Sequence, residues 1–173
     1  MNRMMRCLGM AVLGAASLAA TVNARAAVTN EDKTFLKTAV QGGTNEIALS
    51  KLAEQKAMNP QVKAFAHKMV VEHTALGERM KPFADAWGIS MPSGPDADHQ
   101  AEWDKLNGLS GAEFDKEYMM AMDKDHHEAL NLFEHEATTT TDAKFKVAVM
   151  HGKAVVSAHT HMADTLAPKV GAS

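Results

Sequence analysis

The sequence predicts an all-α domain built from four long helices. Apolar residues recur at three- and four-residue spacing along four stretches of roughly 26 residues each, the pattern of one-sided helices. Each stretch opens on a residue suited to capping a first turn. No segment alternates as a half-buried strand does, and no repeat of solenoid period is present.

The first helix is expected from about Glu31 to Ala57, opened by the Thr29-x-x-Asp32 tetrad, which resembles a capping box. Its apolar stripe runs Phe35, Ala39, Gly43, Ile47, Leu49, Leu52 and Ala53. "AMNPQV" breaks the chain: Asn59 suits an N-cap and Pro60 a first helical position. The second helix carries Val62, Phe65, Met69, Leu76, Met80 and Phe83, with a kink expected at Pro82 and a stop at Gly88. Residues 88–110 hold prolines and glycines and one short helical pattern near Ala97–Leu106. The third long helix opens at Ser110, where Ser-x-x-Glu113 has capping-box spacing. It continues through Phe114, Tyr118, Met122, Ala129 and Phe133 to Ala137. "TTTT" (138–141) ends it, and Thr141 with Asp142 opens the fourth. That helix carries Phe145, Val149, Gly152, Val156, Ala163 and Leu166, and stops near Pro168.

Connection lengths set the topology. Short links make the first two helices, and the last two, antiparallel neighbours. The link between the second and third is long enough to travel the full length of a bundle at roughly 3.3 Å per extended residue. One crossover between two short hairpins is the ferritin-like four-helix arrangement. The alternative is a long link that only decorates one end.

The first 26 residues are expected to be removed. Arg3 and Arg6 precede an apolar run from about Leu8 to Ala20, and Ala24-Arg25-Ala26 forms an A-x-A cleavage triplet. The run is shorter than the ~20 residues of a membrane span. A mature domain of residues 27–173, periplasmic or secreted, follows. The only cysteine, Cys7, lies in the leader, so disulfides, thiolate metal sites and thiol catalysis are excluded from the mature chain. Loss of Arg3, Arg6 and Arg25 takes Lys+Arg from 18 to 15 against 21 acids, a net charge of −6. That balance disfavours nucleic acid as a partner, and no later run is long enough to cross a membrane.

All nine histidines lie beyond the leader. In the stretch "KDHHEAL" (124–130) two are adjacent, and neighbouring helical residues point about 100° apart. The stripe Tyr118, Met122, Ala129, Phe133 passes through position 126, so His126 faces inward and His127 outward. By the same construction His73 faces inward on the second helix, with Glu72 at its flank. His159 does so on the fourth, and Glu46 on the first. Each lies near its helix midpoint, so the four residues can share one layer of the core.

Three neutral imidazoles and a carboxylate suit one transition ion, Fe, Zn, Mn or Cu. The competing reading is a buried hydrogen-bond network that specifies which helix faces which. A carboxylate-bridged di-iron centre needs Glu-x-x-His on two helices. Here Glu72 and His73 are adjacent, and Asp123-x-x-His126 offers the wrong acid. His159-x-His161-Met162 with His151 forms a weaker surface set for copper, and His127, His135, Glu134 and Glu136 read as a solvated face. Haem ligation through Met69 or Met122 has little support, since methionine is a common core filler. No Cys-x-x-Cys-His, Gly-rich phosphate loop or Ser-His-Asp arrangement occurs.

Three stretches carry a resemblance to a known family: "DKTFLKTAVQGGTNEIALSKLAEQKAMNPQVKAFAHKMVVEHT" (32–74), "LSGAEFDKEYMMAMDKDHHEALNLFEHEA" (109–137) and "HTHMADTL" (159–166). They resemble domain of unknown function 4142, a ferritin-like family of mostly exported bacterial proteins. The resemblance implies family positions at Glu46, the Glu72-His73 pair, His126 and His159. It implies fold and export but no activity. Where the family usually has Gln, four residues before the third-helix His, this chain has Met122, which implies a drier centre.

Overall fold

The computed structural model describes residues 27–172; the expected leader, 1–26, lies outside them. Among the described residues the fold is all-helical. The α-helices are α1 (Asn30–Lys56), α2 (Pro60–Trp87), α3 (Ala97–Asn107), α4 (Gly111–Thr139) and α5 (Ala143–Leu166), followed by a 3₁₀ turn over Ala167–Val170. There are thus five α-helices, the four long ones and the short one within the long link. None of them is long and apolar enough to cross a membrane.

Local chemistry sets most boundaries. Thr29 and Asp32 form a reciprocal capping box, with the Asp32 N–H donating to Thr29 Oγ1 at 3.0 Å and the Thr29 N–H to Asp32 Oδ2 at 2.7 Å. Asn59 caps α2 through the Gln61 N–H, with Pro60 behind it. Gly88 ends α2 at φ +68°, a left-handed conformation that glycine adopts without a Cβ clash. Asp142 accepts from the N–H groups of Lys144 and Phe145 at 2.9 and 3.0 Å. The capping box expected at Ser110 does not form. Ser110 occupies the N-cap position, but its side chain makes no capping bond. Gly111 follows at φ +61°, a left-handed first residue unlike those of the capped helices.

Side-chain pairs reveal the helix directions. Glu54 near the end of α1 meets His67 near the start of α2 at 2.7 Å. Glu31 at the start of α1 meets His135 near the end of α4 at 2.7 Å, and Ser50 meets Tyr118 at 2.8 Å. α1 therefore runs antiparallel to both α2 and α4, which makes α2 and α4 parallel to each other. The link must then travel between opposite ends, and its contacts along α1 trace the path. Gln41 donates to the Gly94 carbonyl at 3.1 Å, Asn45 to Asp96 at 2.8 Å, and Lys56 to the Asn107 carbonyl.

The core is divided. One apolar cluster gathers Leu49, Phe65, Met69, Tyr118, Met122 and Ala163; the other gathers Phe35, Leu36, Leu76, Phe133, Phe145 and Val156. Burying each of the larger side chains contributes roughly 1.5–3 kcal/mol. Between the two clusters each long helix contributes one buried ionisable residue: Glu46, His73, His126 and His159. A second buried polar contact closes one end. Glu136 of α4, read from sequence as part of a solvated face, is buried beside Asp32 of α1.

Candidate metal centre

His126 is the best-determined member of the central layer. Its Nδ1 lies 2.8 Å from the Met122 carbonyl oxygen, which can only accept, so Nδ1 carries the proton. The Nε2 lone pair is then free, and it faces His73 Nε2 at 3.5 Å. The backbone carbonyl of Met122 thus does the orienting that a side chain at that position would otherwise do.

His159 is oriented from outside. Its Nε2 lies 2.7 Å from Glu72 Oε2. Burial works against the Glu72 carboxylate, but hydrogen bonds from Lys68 and His159 outweigh it and hold Glu72 below its usual range. An ionised Glu72 accepts, so His159 Nε2–H donates and the lone pair sits on Nδ1. That Nδ1 is buried without a partner, as is Nδ1 of His73.

The three rings form a compact group, with centroids 5.6 Å apart for His73 and His126, 5.1 Å for His73 and His159, and 5.4 Å for His126 and His159. One nitrogen from each lies within 4.8 Å of the others. Bonds of ~2.0–2.1 Å in a tetrahedral site imply ligand separations of about 3.3–3.4 Å, which the 3.5 Å between His73 Nε2 and His126 Nε2 approaches.

Electrostatics keep the group ready for a cation. Burial, then the neighbouring His126 and His159, pushes His73 well below its ordinary range. Burial and His159 lower His126 to about 4. Burial lowers His159 as well, against the opposing pull of Glu72. All three are therefore neutral at pH 7, the form in which imidazole ligates.

Glu46 belongs to the layer but stands apart from the triad. Its Oε1 is 3.7 Å from His126 Nδ1, the nitrogen already engaged by Met122, and its Oε2 is buried without a partner. Burial, reinforced by Asp125, raises Glu46 well above the usual carboxylate range. A cavity of about 670 Å³ between α1, α4 and the link reaches Glu46, His73 and His126. At its mouth His99 lies 2.8 Å from Asp96 and 3.4 Å from Asp125.

The surface copper set is not assembled, because His159 is buried while His151 and His161 are exposed. A different group at the surface, half-buried Asp123 with exposed His127 and Asp164, brings its ligand atoms within 4.8 Å. Sequence periodicity did not single out Glu72 as the partner of His159. The legible signal was its position beside His73; which helix lies against that flank is a tertiary fact.

Comparisons follow the same lines. No curated protein matches the sequence. A crystal structure of a DUF305 protein from Streptomyces coelicolor, described as secreted, is similar with a TM-score of 0.68 at 16% identity, covering 83% of this chain and 94% of that one. At that identity the likeness carries the fold alone. The profile described as Domain of unknown function (DUF4142) matches residues 17–166, nearly the whole chain, and the protein belongs to the DUF4142 family.

Proposed function

We propose that this protein is an exported metal-binding module in which His73, His126 and His159 hold one transition ion at the centre of a ferritin-like four-helix bundle, with α3 an addition within the crossover. The observation that supports it most is the convergence of three neutral imidazoles from three helices, two of them oriented through their other nitrogen. Such outer partners fix the tautomer of a ligating histidine. His126 is fixed by the Met122 carbonyl and His159 by Glu72. Among Fe, Zn, Mn and Cu, a nitrogen-rich set favours Zn²⁺ or Cu²⁺. Glu46, in the expected set of four, is assigned instead to the wall of the cavity beside the centre. An ion held by three histidines acts as a Lewis acid with room for a further ligand.

Export as a periplasmic or secreted protein is part of the same proposal. Mass analysis of protein from the cell envelope should give an N-terminus at Ala27, and an intact Met1 there would refute it.

The metal test has a sharp form. Elemental analysis of the purified protein should find about one ion per chain, and His126→Ala should lose it. Chelation should lower the melting temperature, because an ion bound only by the folded state stabilises it by mass action. Protons compete weakly, since His126 titrates only near 4. The ion should therefore remain bound at pH 5.5, where a site of exposed histidines would be releasing it. A second reading is supported by the His159–Glu72 bond at 2.7 Å, which satisfies both groups without an ion. Under it, His126→Ala still costs roughly 1–3 kcal/mol through unpaired neighbours. The outcome that ends the metal proposal is a chelated wild type that melts where the untreated protein does, with no ion found.

A further inference from the structure

Three side chains on the outer side of α4 and α5 form a group that the central layer does not use. Asp123 and His127 stand one turn apart on α4, at the four-residue spacing that puts two side chains on one face. Asp164 reaches them from α5, with His127 Nε2 2.8 Å from Asp164 Oδ1. Lys153 meets Glu134 at 3.1 Å further along the same helices, so α4 and α5 run antiparallel in the register that brings the three together. One ligand atom from each lies within 4.8 Å of the other two.

A surface pair of His127 and Asp164 would be complete with two members, and the third member needs a reason. Asp123 is half-buried, and among the described residues it has no hydrogen-bond or ion-pair partner. Lys124, its neighbour in sequence, is engaged with Asp125 and Glu128 at 3.3 and 3.4 Å. Asp164 pairs with His127 and with no lysine or arginine. Two carboxylates therefore converge on one imidazole with no cationic side chain to offset them. Like charges held this close repel, and a cation between them turns that cost into a gain.

The donor set selects the ion. One imidazole nitrogen and two carboxylate oxygens suit Zn²⁺, whose bonds of ~2.0–2.2 Å to such atoms leave a fourth position for water. Ca²⁺ takes roughly six to eight oxygens, and Mg²⁺ is likewise an oxygen-bound ion. We infer that Asp123, His127 and Asp164 form a second, surface site for Zn²⁺, in which the ion takes the place of the His127–Asp164 hydrogen bond and ties α4 to α5. His127 points about 100° away from His126 around the helix, so this site stands whether or not the buried triad holds an ion.

The test is equilibrium dialysis of chelator-stripped protein against Zn²⁺ with magnesium present, counting bound equivalents by elemental analysis. Asp123→Ala and Asp164→Ala should each bind one equivalent fewer than the wild type. Their circular-dichroism spectra should be unchanged, because neither side chain belongs to the core. Glu78→Ala, which removes an exposed carboxylate elsewhere, should bind as many equivalents as the wild type. His126→Ala should keep the equivalent that the aspartate variants lose. A wild type with a single equivalent, lost in Asp164→Ala and kept in His126→Ala, supports the surface site and removes the buried one. Undiminished binding by both aspartate variants overturns the inference, as does an equal loss in Glu78→Ala. A wild type whose bound Zn²⁺ is lost entirely in His126→Ala also overturns it.

Discussion

Gly152→Ala is expected to lower the melting temperature by about 4–8 °C, a loss of about 2 kcal/mol at 2–4 °C per kcal/mol. The sign is opposite to the usual preference of roughly 0.5–1 kcal/mol for alanine over glycine within a helix. A Cβ at 152 would lie 3.0 Å from Phe133 Cζ and closer still to Cε1, too close without movement of the ring. The ring has little freedom to retreat. It packs edge-on against Phe35 at 5.0 Å and 89°, and Phe35 packs against Phe145 at 5.8 Å. Gly42→Ala is the control, since nothing lies within 4 Å of a Cβ there. That change should raise the melting temperature by a few degrees, from helix propensity alone. Should both substitutions move it in the same direction, close approach of α4 and α5 at Gly152 is not what glycine provides.

Glu136→Gln is expected to raise the melting temperature at pH 8.5 and to flatten its decline between about pH 4.5 and 8. Burial, then the hydrogen bond and charge of Asp32, lifts Glu136 to about 8. Asp32 itself is held low: burial opposes its charge, but the nearby Thr140 hydroxyl and the hydrogen bonds of the Thr29 N–H and hydroxyl prevail. The pair therefore shares one proton, carried by Glu136. A carboxyl raised in the fold binds its proton more tightly than in the unfolded chain. Its stabilisation is complete below about 4.5 and is lost as pH rises through about 8. A shift from 4.5 to about 8 corresponds to roughly 4–5 kcal/mol at most. Glutamine keeps a donor toward Asp32 at every pH, which removes that loss. Whatever alkaline slope remains belongs in part to Glu46, raised by burial and Asp125. A variant whose melting temperature falls as steeply as that of the wild type would exclude the shared proton.

The helices were legible because their signals are local. Capping at Thr29, Asn59 and Asp142 depends on residues two or three positions apart, and the inward direction of His126 over His127 follows from 3.6-residue periodicity. Ser110 failed as a cap despite correct spacing: Gly111 begins that helix in a left-handed conformation, which residue spacing does not specify. Glu136 was misread for a related reason. Its neighbours in sequence are polar, but burial at a helix end depends on what the chain brings back from a hundred residues earlier.

The sequence by itself determined which residue of each helix enters the central layer, since periodicity assigns faces without knowledge of neighbours. It also bounded the chemistry by placing the only cysteine at position 7 and all nine histidines beyond residue 26. Only the tertiary structure decided that His73, His126 and His159 form one group while Glu46 turns toward a cavity. It alone decided that Met122 and Glu72 set the proton positions on His126 and His159. Periodicity fixes an angle around one helix axis; which atom meets which depends on the register and rotation of helices packed against each other, and no local pattern encodes those.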